Sequence, residues 1–387
     1  MVRVIAFYLP QYHPISENDE WWGPGFTDWV NVASSRPRFK GHHQPHIPAD
    51  LGFYDLRLEE TRIAQAEMAS AYGVHGFCYY HYWFNERVLL ERPFNEVLES
   101  GKPNFPFCLC WANENWTRRW DGREKDVLIE QKYKSYDCEK HIDWLSKAFR
   151  DPRYIRVNDK PLFLVYNPSA IPNIGEIIVR WRRATRKNGF PDLFLCSMMS
   201  GQNISWREML DNGFDANVEF YPRGNIYGPR QLVIKSLLDV FPLAWYVIVN
   251  FLNIDRYVPL CRSYVAFSYR RMAKIAMTQA DNFGKVFPCV MPSWDNSARR
   301  TAAAMIIENN DPKLYGEWLA HALNRVAGNE PDEQLVFINS WNEWAEGCHL
   351  EPDRNHGPAF LEETGRVINE AEKIRKSKLK KNKCATH

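Results

Sequence analysis

The sequence of 387 residues predicts an α/β protein built as a single (β/α)8 barrel of the TIM type, with an insertion after the sixth strand. Three observations carry this prediction. Eight apolar, β-rich runs recur along the chain, most of them separated by segments with helix character, and that alternation builds parallel sheets. Several runs spill at their C-terminal ends into aromatics, amides and carboxylates, which is how the active face of such a barrel reads in one dimension. The doubly wound alternative wants a glycine-rich phosphate loop after an early strand. Neither GxGxxG nor GxxxxGK followed by Ser or Thr occurs.

Taken in order, Val2 to Leu9 is the first strand, ending in Pro10-Gln11-Tyr12-His13. A long polar loop follows, with Trp21-Trp22-Gly23-Pro24-Gly25-Phe26-Thr27-Asp28-Trp29. Leu56 to Tyr72, rich in Glu, Arg and Ala, reads as a helix stopped by Gly73. The second strand is Val74 to Phe84, the third Phe105 to Trp111, the fourth Pro161 to Tyr166 and the fifth Leu193 to Met199. The sixth is Ala216 to Tyr221, the seventh Val286 to Pro292 and the eighth Leu335 to Asn339. Helical patterns fill Cys138 to Phe149, Ile174 to Lys187, Tyr269 to Asp281 and Leu314 to Val326. The barrel is expected over residues 1–372, the insertion over about 223–268 and a basic tail over 373–387.

The insertion holds an apolar stretch, Phe241 to Val249, shorter than the ~20 residues of a membrane span. It reads as an apolar face packed on the barrel, with a membrane-surface or partner contact as the alternative. The tail, Lys373 to Lys383, is dense in Lys and Arg. It reads as a solvated end. Its attraction for anionic headgroups would suit peripheral contact with the inner membrane and a lipid-linked glycan.

Composition narrows the function. A formal charge of +2 makes no electrostatic case for nucleic acid. Nine Cys are scattered without CxxC pairs and read as reduced core residues of a cytoplasmic protein. The apolar start is too short for a signal peptide, and no small-residue cleavage site follows. Trp, Tyr and Phe make 14% of the chain, and many stand beside Asn, Asp and Glu. Sugar rings stack their C–H faces on aromatics and engage amides and carboxylates through hydroxyls, so oligo- or polysaccharide is the expected partner.

The densest such stretch is Leu335 to Asp353, LVFINSWNEWAEGCHLEPD. An apolar strand there runs into Asn339, Trp341, Asn342, Glu343, Trp344 and Glu346. Glycosidic chemistry needs one group to move a proton at the bridging oxygen and a second to serve the anomeric centre. Two nearby carboxyls among apolar rings can split their pKa values to fill both roles. Glu343 and Glu346 are therefore the candidate catalytic pair. Other strand ends add the acids Glu114, Glu219 and Asp295. Trp22, Trp111, Asn113 and Tyr221 complete the polar-aromatic candidates for sugar contact. A two-Glu retaining arrangement would instead pair Glu114 with Glu343, with carboxyls about 5–5.5 Å apart and one of them a nucleophile. His42 and His46 have i, i+4 spacing, but Pro45 and Pro48 argue against a ligand-presenting helix, so no metal and no cofactor is expected.

YLPQYHPISENDEWWGPGFTDWVNV, MPSWDNSARR and NSWNEWAEGCHLEPD together resemble the WbsX group of bacterial polysaccharide-locus proteins, described as glycosyltransferases. That group is similar to the family-99 glycoside hydrolases, the endo-acting α-mannosidases and α-mannanases, which are (β/α)8 barrels. The resemblance runs from about Val2 to the last barrel helix. It implies that Glu343 takes the proton of a sugar 2-hydroxyl, which attacks the anomeric carbon to give a 1,2-anhydro sugar. It implies further that Glu346 protonates the leaving oxygen and then deprotonates the incoming water or acceptor. By the same resemblance Tyr12, His13, Tyr80, His81, Trp294, Asn296, Trp341 and Asn342 would line the sugar subsites. Three functions follow as expectations. The leading one is a retaining endo-glycosidase or transglycosylase on α-linked, mannose-type glycans of cell-surface polysaccharide, such as O-antigen or capsule. The others are a nucleotide-sugar-dependent glycosyltransferase and a non-catalytic glycan-binding protein.

Overall fold

The computed structural model describes residues 2–118, 123–200, 205–222, 264–278, 284–300 and 304–385. Eight strands form the barrel: β1 (Arg3–Tyr8), β2 (Gly76–Phe84), β3 (Phe107–Trp111), β4 (Lys160–Val165), β5 (Phe194–Met199), β6 (Ala216–Glu219), β7 and β8 (Leu335–Ile338). Strand β7 comes in two pieces, Val286–Phe287 and Cys289–Val290. The first piece pairs with β6 and the second with β8. Between them stands Pro288, which has no N–H to give but accepts from Phe337 N at 2.8 Å. Strand β8 pairs with β1, so the parallel sheet closes on itself.

Nearly every residue of β3, β5, β6 and β8 is buried, as a sheet with a packed interior and a helical coat requires. The strands approach closely at Gly76, where a Cβ would stand 2.5 Å from the carbonyl oxygen of Pro106. Among the described residues the helices are α1 (Ser16–Trp22), α2 (Asp28–Ser34), α3 (Glu59–Ala71), α4 (Arg92–Ser100), α5 (Cys138–Phe149), α6 (Ile174–Lys187), α7 (Trp206–Asp211), α8 (Tyr269–Thr278), α9 (Pro312–Val326) and α10 (Ala359–Ala385). Side chains start several of them. Asp137 accepts from Glu139 N and Lys140 N at the head of α5, and Asp311 accepts from Lys313 N and Leu314 N at the head of α9. Apolar stripes then turn inward: Leu314, Trp318, Leu319, Ala322 and Val326 of α9 are buried.

The expected barrel is therefore the observed one, with local differences. The stretch read as a polar loop after β1 contains α1 and α2. Strand β2 runs on into a hairpin with Arg87–Leu89, and a second hairpin, Trp116–Arg118 with Arg123–Ile129, rises after β3. Most of the expected insertion, with its apolar stretch at 241–249, lies outside the described residues. Its last part, Tyr264–Ser268, forms a strand beside Ala304–Glu308 in a small side sheet. Helix α10 runs on from the barrel through the basic residues of the tail. Among the described residues, no helix is long and apolar enough to cross a membrane.

Candidate active site

Beyond β8 the chain makes a small hairpin, Asn342–Glu343 against Cys348–His349, closed by a turn at Trp344–Glu346. Gly347 takes φ +55°, and a Cβ on it would meet the backbone N and O of Asp295 at 3.0 Å, so glycine lets the turn lie against the segment after β7. Asn342 clamps the hairpin to β1: its Oδ1 accepts from Leu9 N at 2.7 Å and its Nδ2 donates to Leu9 O at 3.0 Å. Tyr12 OH donates to Asn342 O at 2.5 Å and accepts from Trp344 N at 3.2 Å. The two glutamates thus hang from a rigid support at the C-terminal mouth of the barrel.

Both point at Arg299. Its Nη2 stands 3.0 Å from Glu343 Oε2, and its Nη1 stands 2.9 Å from Glu346 Oε1. Asp28, at the head of α2, holds the same guanidinium from Nη2 at 2.9 Å and from Nε at 3.3 Å. Three carboxylates therefore share one cation. Asp28 and Glu343 are buried, while the Glu346 side chain keeps 25% of its surface open. Burial pushes the Glu343 carboxyl up to about 8; Arg299 opposes the rise, and the charges of Glu346 and Asp28 add to it. Burial also works against the charge on Arg299, but Asp28, Glu343 and Glu346 outweigh it and hold the guanidinium protonated. Adjacent acids in such unequal surroundings are suited to unequal proton duties.

A cleft of about 510 Å³ opens beside Glu343 and Arg299, walled by Trp22, Tyr82, Asn113, Glu114, Trp116 and Tyr133. A recess of about 180 Å³ shares Glu343, Arg299, Glu114 and Trp116 with it and reaches Glu346, Tyr80 and Tyr166. Rings, amides and acids around one open space form a wall that a pyranose can use on both its faces and its hydroxyls.

The chain matches the family described as Glycosyltransferase WbsX over residues 4–364. It belongs to that family. The uncharacterised protein WxcX of Xanthomonas campestris pv. campestris strain B100 is 41% identical over 369 residues, covering 95% of this chain and 50% of the relative. Its counterpart in a second strain is 40% identical with the same coverage. The chain thus spans about half the length of the curated relatives it matches. Among solved structures it is similar to the GH99 endo-α-mannosidase from Bacteroides thetaiotaomicron, at 14% identity and a TM-score of 0.56, covering 97% of this chain and 98% of that one. A glycoside hydrolase-like protein gives a TM-score of 0.54 at 14% identity, covering 95% and 93%. At this identity the likeness speaks for the fold.

In this WbsX-family barrel the sequence-predicted site residues fall into three groups. Glu343, Glu346, Glu114, Asn113, Trp22 and Tyr80 meet at the cleft and its recess. Glu114 is exposed on the wall of the cleft and accepts from Asn167 Nδ2 at 3.3 Å. Tyr12, Trp341 and Asn342 are buried, with Tyr12 and Asn342 bonded into the support of the hairpin and Trp341 N donating to Phe7 O at 2.8 Å. The remainder stand elsewhere. His81 is 2.9 Å from His141 and stacks on Trp144, under α5. Trp111 packs on Tyr136, and Tyr221 sets its ring edge-on to Trp318 of α9. Glu219 pairs with Arg325 of α9 at 3.0 Å. His13 is buried, and that burial lowers its pKa to about 4. Asn296 Oδ1 accepts from Met305 N at 2.7 Å. Asp295 Oδ2 accepts from His42 at 2.6 Å and from Gln44 at 2.7 Å. Burial works to raise that carboxyl, but His42 holds it down to about 2. Trp294 lines a separate cavity.

Residues at the site that lie outside that prediction include Arg299, Asp28, Tyr82, Trp116, Tyr133 and Tyr166. Arg299 stands inside the MPSWDNSARR motif and Asp28 inside the first motif, so the sequence displayed both. What it did not display is their pairing across 271 residues.

Proposed function

We propose that this barrel is a carbohydrate-active enzyme of cell-surface polysaccharide metabolism, a retaining endo-glycosidase or transglycosylase on α-linked, mannose-type glycans. The observation that carries the reading is the pair Glu343 and Glu346, bound to one guanidinium at the edge of an aromatic cleft. Glu343 is the base. Its raised pKa makes its carboxylate a stronger proton acceptor than an ordinary one, as removing a proton from a sugar 2-hydroxyl demands. The 2-oxygen then attacks the anomeric carbon, and the bond to the leaving oxygen breaks. Glu346, nearer solvent, delivers a proton to that oxygen and next takes one from the incoming water or acceptor hydroxyl. That nucleophile opens the 1,2-anhydro ring with a second inversion while Glu343 returns its proton to the 2-oxygen, so configuration is retained and both glutamates regain their starting states. Arg299 stays charged throughout and steadies whichever carboxylate is ionised.

The family's description favours a second reading, in which the same pair serves transfer from a nucleotide sugar. Mass spectrometry of the full chain incubated with α-mannosidic and O-antigen-type oligosaccharides, with and without sugar nucleotides, separates the two. Shortened or rearranged glycans without nucleotide, absent in Glu346→Gln, support the hydrolase or transglycosylase. Elongated products only with nucleotide would overturn it in favour of synthesis. Glycan binding with no turnover in either case would leave a binding protein.

A further inference from the structure

Among the described residues, a second cavity of about 460 Å³ shares no lining residue with the catalytic cleft, and its wall holds His43, His46 and His356. His46 is in turn joined to His349 and Asp353. We propose that His46, His349 and Asp353 hold a divalent ion of the zinc class, with a fourth position open toward this cavity, where His356 stands.

The donor atoms of the three residues all lie within 4.8 Å of one another, and all three side chains are buried. His46 Nδ1 is 2.9 Å from His349 Nε2, which is 3.9 Å from Asp353 Oδ2. A tetrahedral ion with bonds of about 2.0–2.1 Å sets neighbouring ligand atoms roughly 3.3 Å apart, between those two spacings.

Hydrogen bonding fixes the orientation of two of the three ligands, His349 and Asp353. His349 Nδ1 lies 2.9 Å from the carbonyl oxygen of Glu351, which can only accept, so Nδ1 carries the proton and Nε2 the lone pair. A metal-bound histidine is commonly held this way by a carbonyl behind it. Asp353 Oδ1 accepts from the backbone N of Asn355 at 2.8 Å and of His356 at 2.6 Å. That turn leaves Oδ2 facing His356 Nδ1 at 3.6 Å and His349 Nε2 at 3.9 Å, both longer than a hydrogen bond. A proton between His46 and His349 would satisfy one lone pair but not the carboxylate. A cation satisfies all of them. Two imidazoles and one carboxylate suit zinc, whereas magnesium and calcium prefer oxygen throughout.

The ion would also tie parts of the fold together. His349 stands on the strand paired with Asn342–Glu343, and its ring stacks on Trp344 at 3.7 Å. His46 belongs to the segment whose Ala49 N donates to Pro352 O. Zinc there would pin the back of the catalytic hairpin to that segment.

The test loads the full chain with zinc chloride, dialyses it against metal-free buffer and counts zinc by mass spectrometry. Asp353→Asn is the variant of choice, because its remaining oxygen can still accept the two backbone bonds of the turn. One equivalent is expected in the natural protein, with affinity lower by at least about tenfold in Asp353→Asn. Zinc should raise the melting temperature of the natural protein by more than that of the variant, and magnesium should raise neither. Cobalt provides a reading that needs no variant, since an intense visible band marks a tetrahedral nitrogen–oxygen site. No retained zinc, equal zinc affinity in Asp353→Asn, or the weak spectrum of six-coordinate cobalt would each overturn the proposal.

Discussion

Glu343 is a buried carboxyl on the wall of the cleft beside two others, with a guanidinium serving all three. An acid raised from 4.5 to about 8 in the folded chain keeps a proton that the unfolded chain has already released between those values. Folding stability contributed by this group is therefore present at low pH and falls as pH rises through that window. Glu343→Gln, neutral and of the same shape, should be more stable than the natural protein above pH 8 by on the order of 1–3 kcal/mol, and equally stable near pH 4. Thermal melts across that range check it, and a constant difference would count against the raised value. Activity should respond in the opposite sense, because the base must be ionised. On the proposed mechanism kcat/KM falls as pH drops below about 8. Glu343→Gln and Glu346→Gln should each lower kcat by roughly 10²–10⁴-fold while leaving glycan binding measurable by calorimetry.

The hairpin that carries Glu343 and Glu346 depends on one backbone position. Gly347→Ala places a Cβ 2.9 Å from the Asp295 Cβ while the backbone stays at positive φ. The left-handed conformation alone costs about 1–2 kcal/mol in an alanine, and relief of the contact must move the turn that carries Glu346. Chemical denaturation should show that loss, and activity per folded molecule should fall further than stability does. The strands and the helices between them at α3, α5, α6, α8 and α9 were legible at this scale because an apolar run or a 3.6-residue stripe is written in consecutive residues. The 27-residue α10, whose end read as a solvated tail, was not. Helices α5 and α6 begin and end where the pattern places them. The short helices α1 and α2 were not legible. They are seven residues each, flanked by Gly and Pro, and held by tertiary contacts more than by periodicity.

The whole barrel is held by contacts distant in sequence. Gly76→Ala would push its Cβ to 2.5 Å from the Pro106 carbonyl, which is backbone and cannot swing aside. It should destabilise the protein by about 1–3 kcal/mol while leaving kcat of the folded fraction unchanged, since Gly76 lies outside the cleft. Arg299→Ala should be worse on both counts. It leaves three carboxylates facing one another, and breaking a buried ion pair costs about 3–5 kcal/mol. Arg299→Lys, which keeps the charge but loses the fork, should recover part of the stability and little of the activity. Melting temperatures and kcat measured side by side distinguish these variants.

By itself the sequence determined the eight strands, their order, and the placement of Glu343 and Glu346 just past the last of them. Local hydrophobic pattern and chain order are enough for that, because a parallel barrel puts every strand end on one face. Only the tertiary structure decided which polar residues serve the cleft. Asp295 went to His42 and Gln44, Glu219 to Arg325, and His81 to His141, while Arg299 joined Asp28 to both glutamates. A strand's side chains alternate between the barrel interior and the helical coat, and near its end a shift of one residue changes which space a side chain enters. Partners separated by 253 or 271 residues leave no local trace of their meeting.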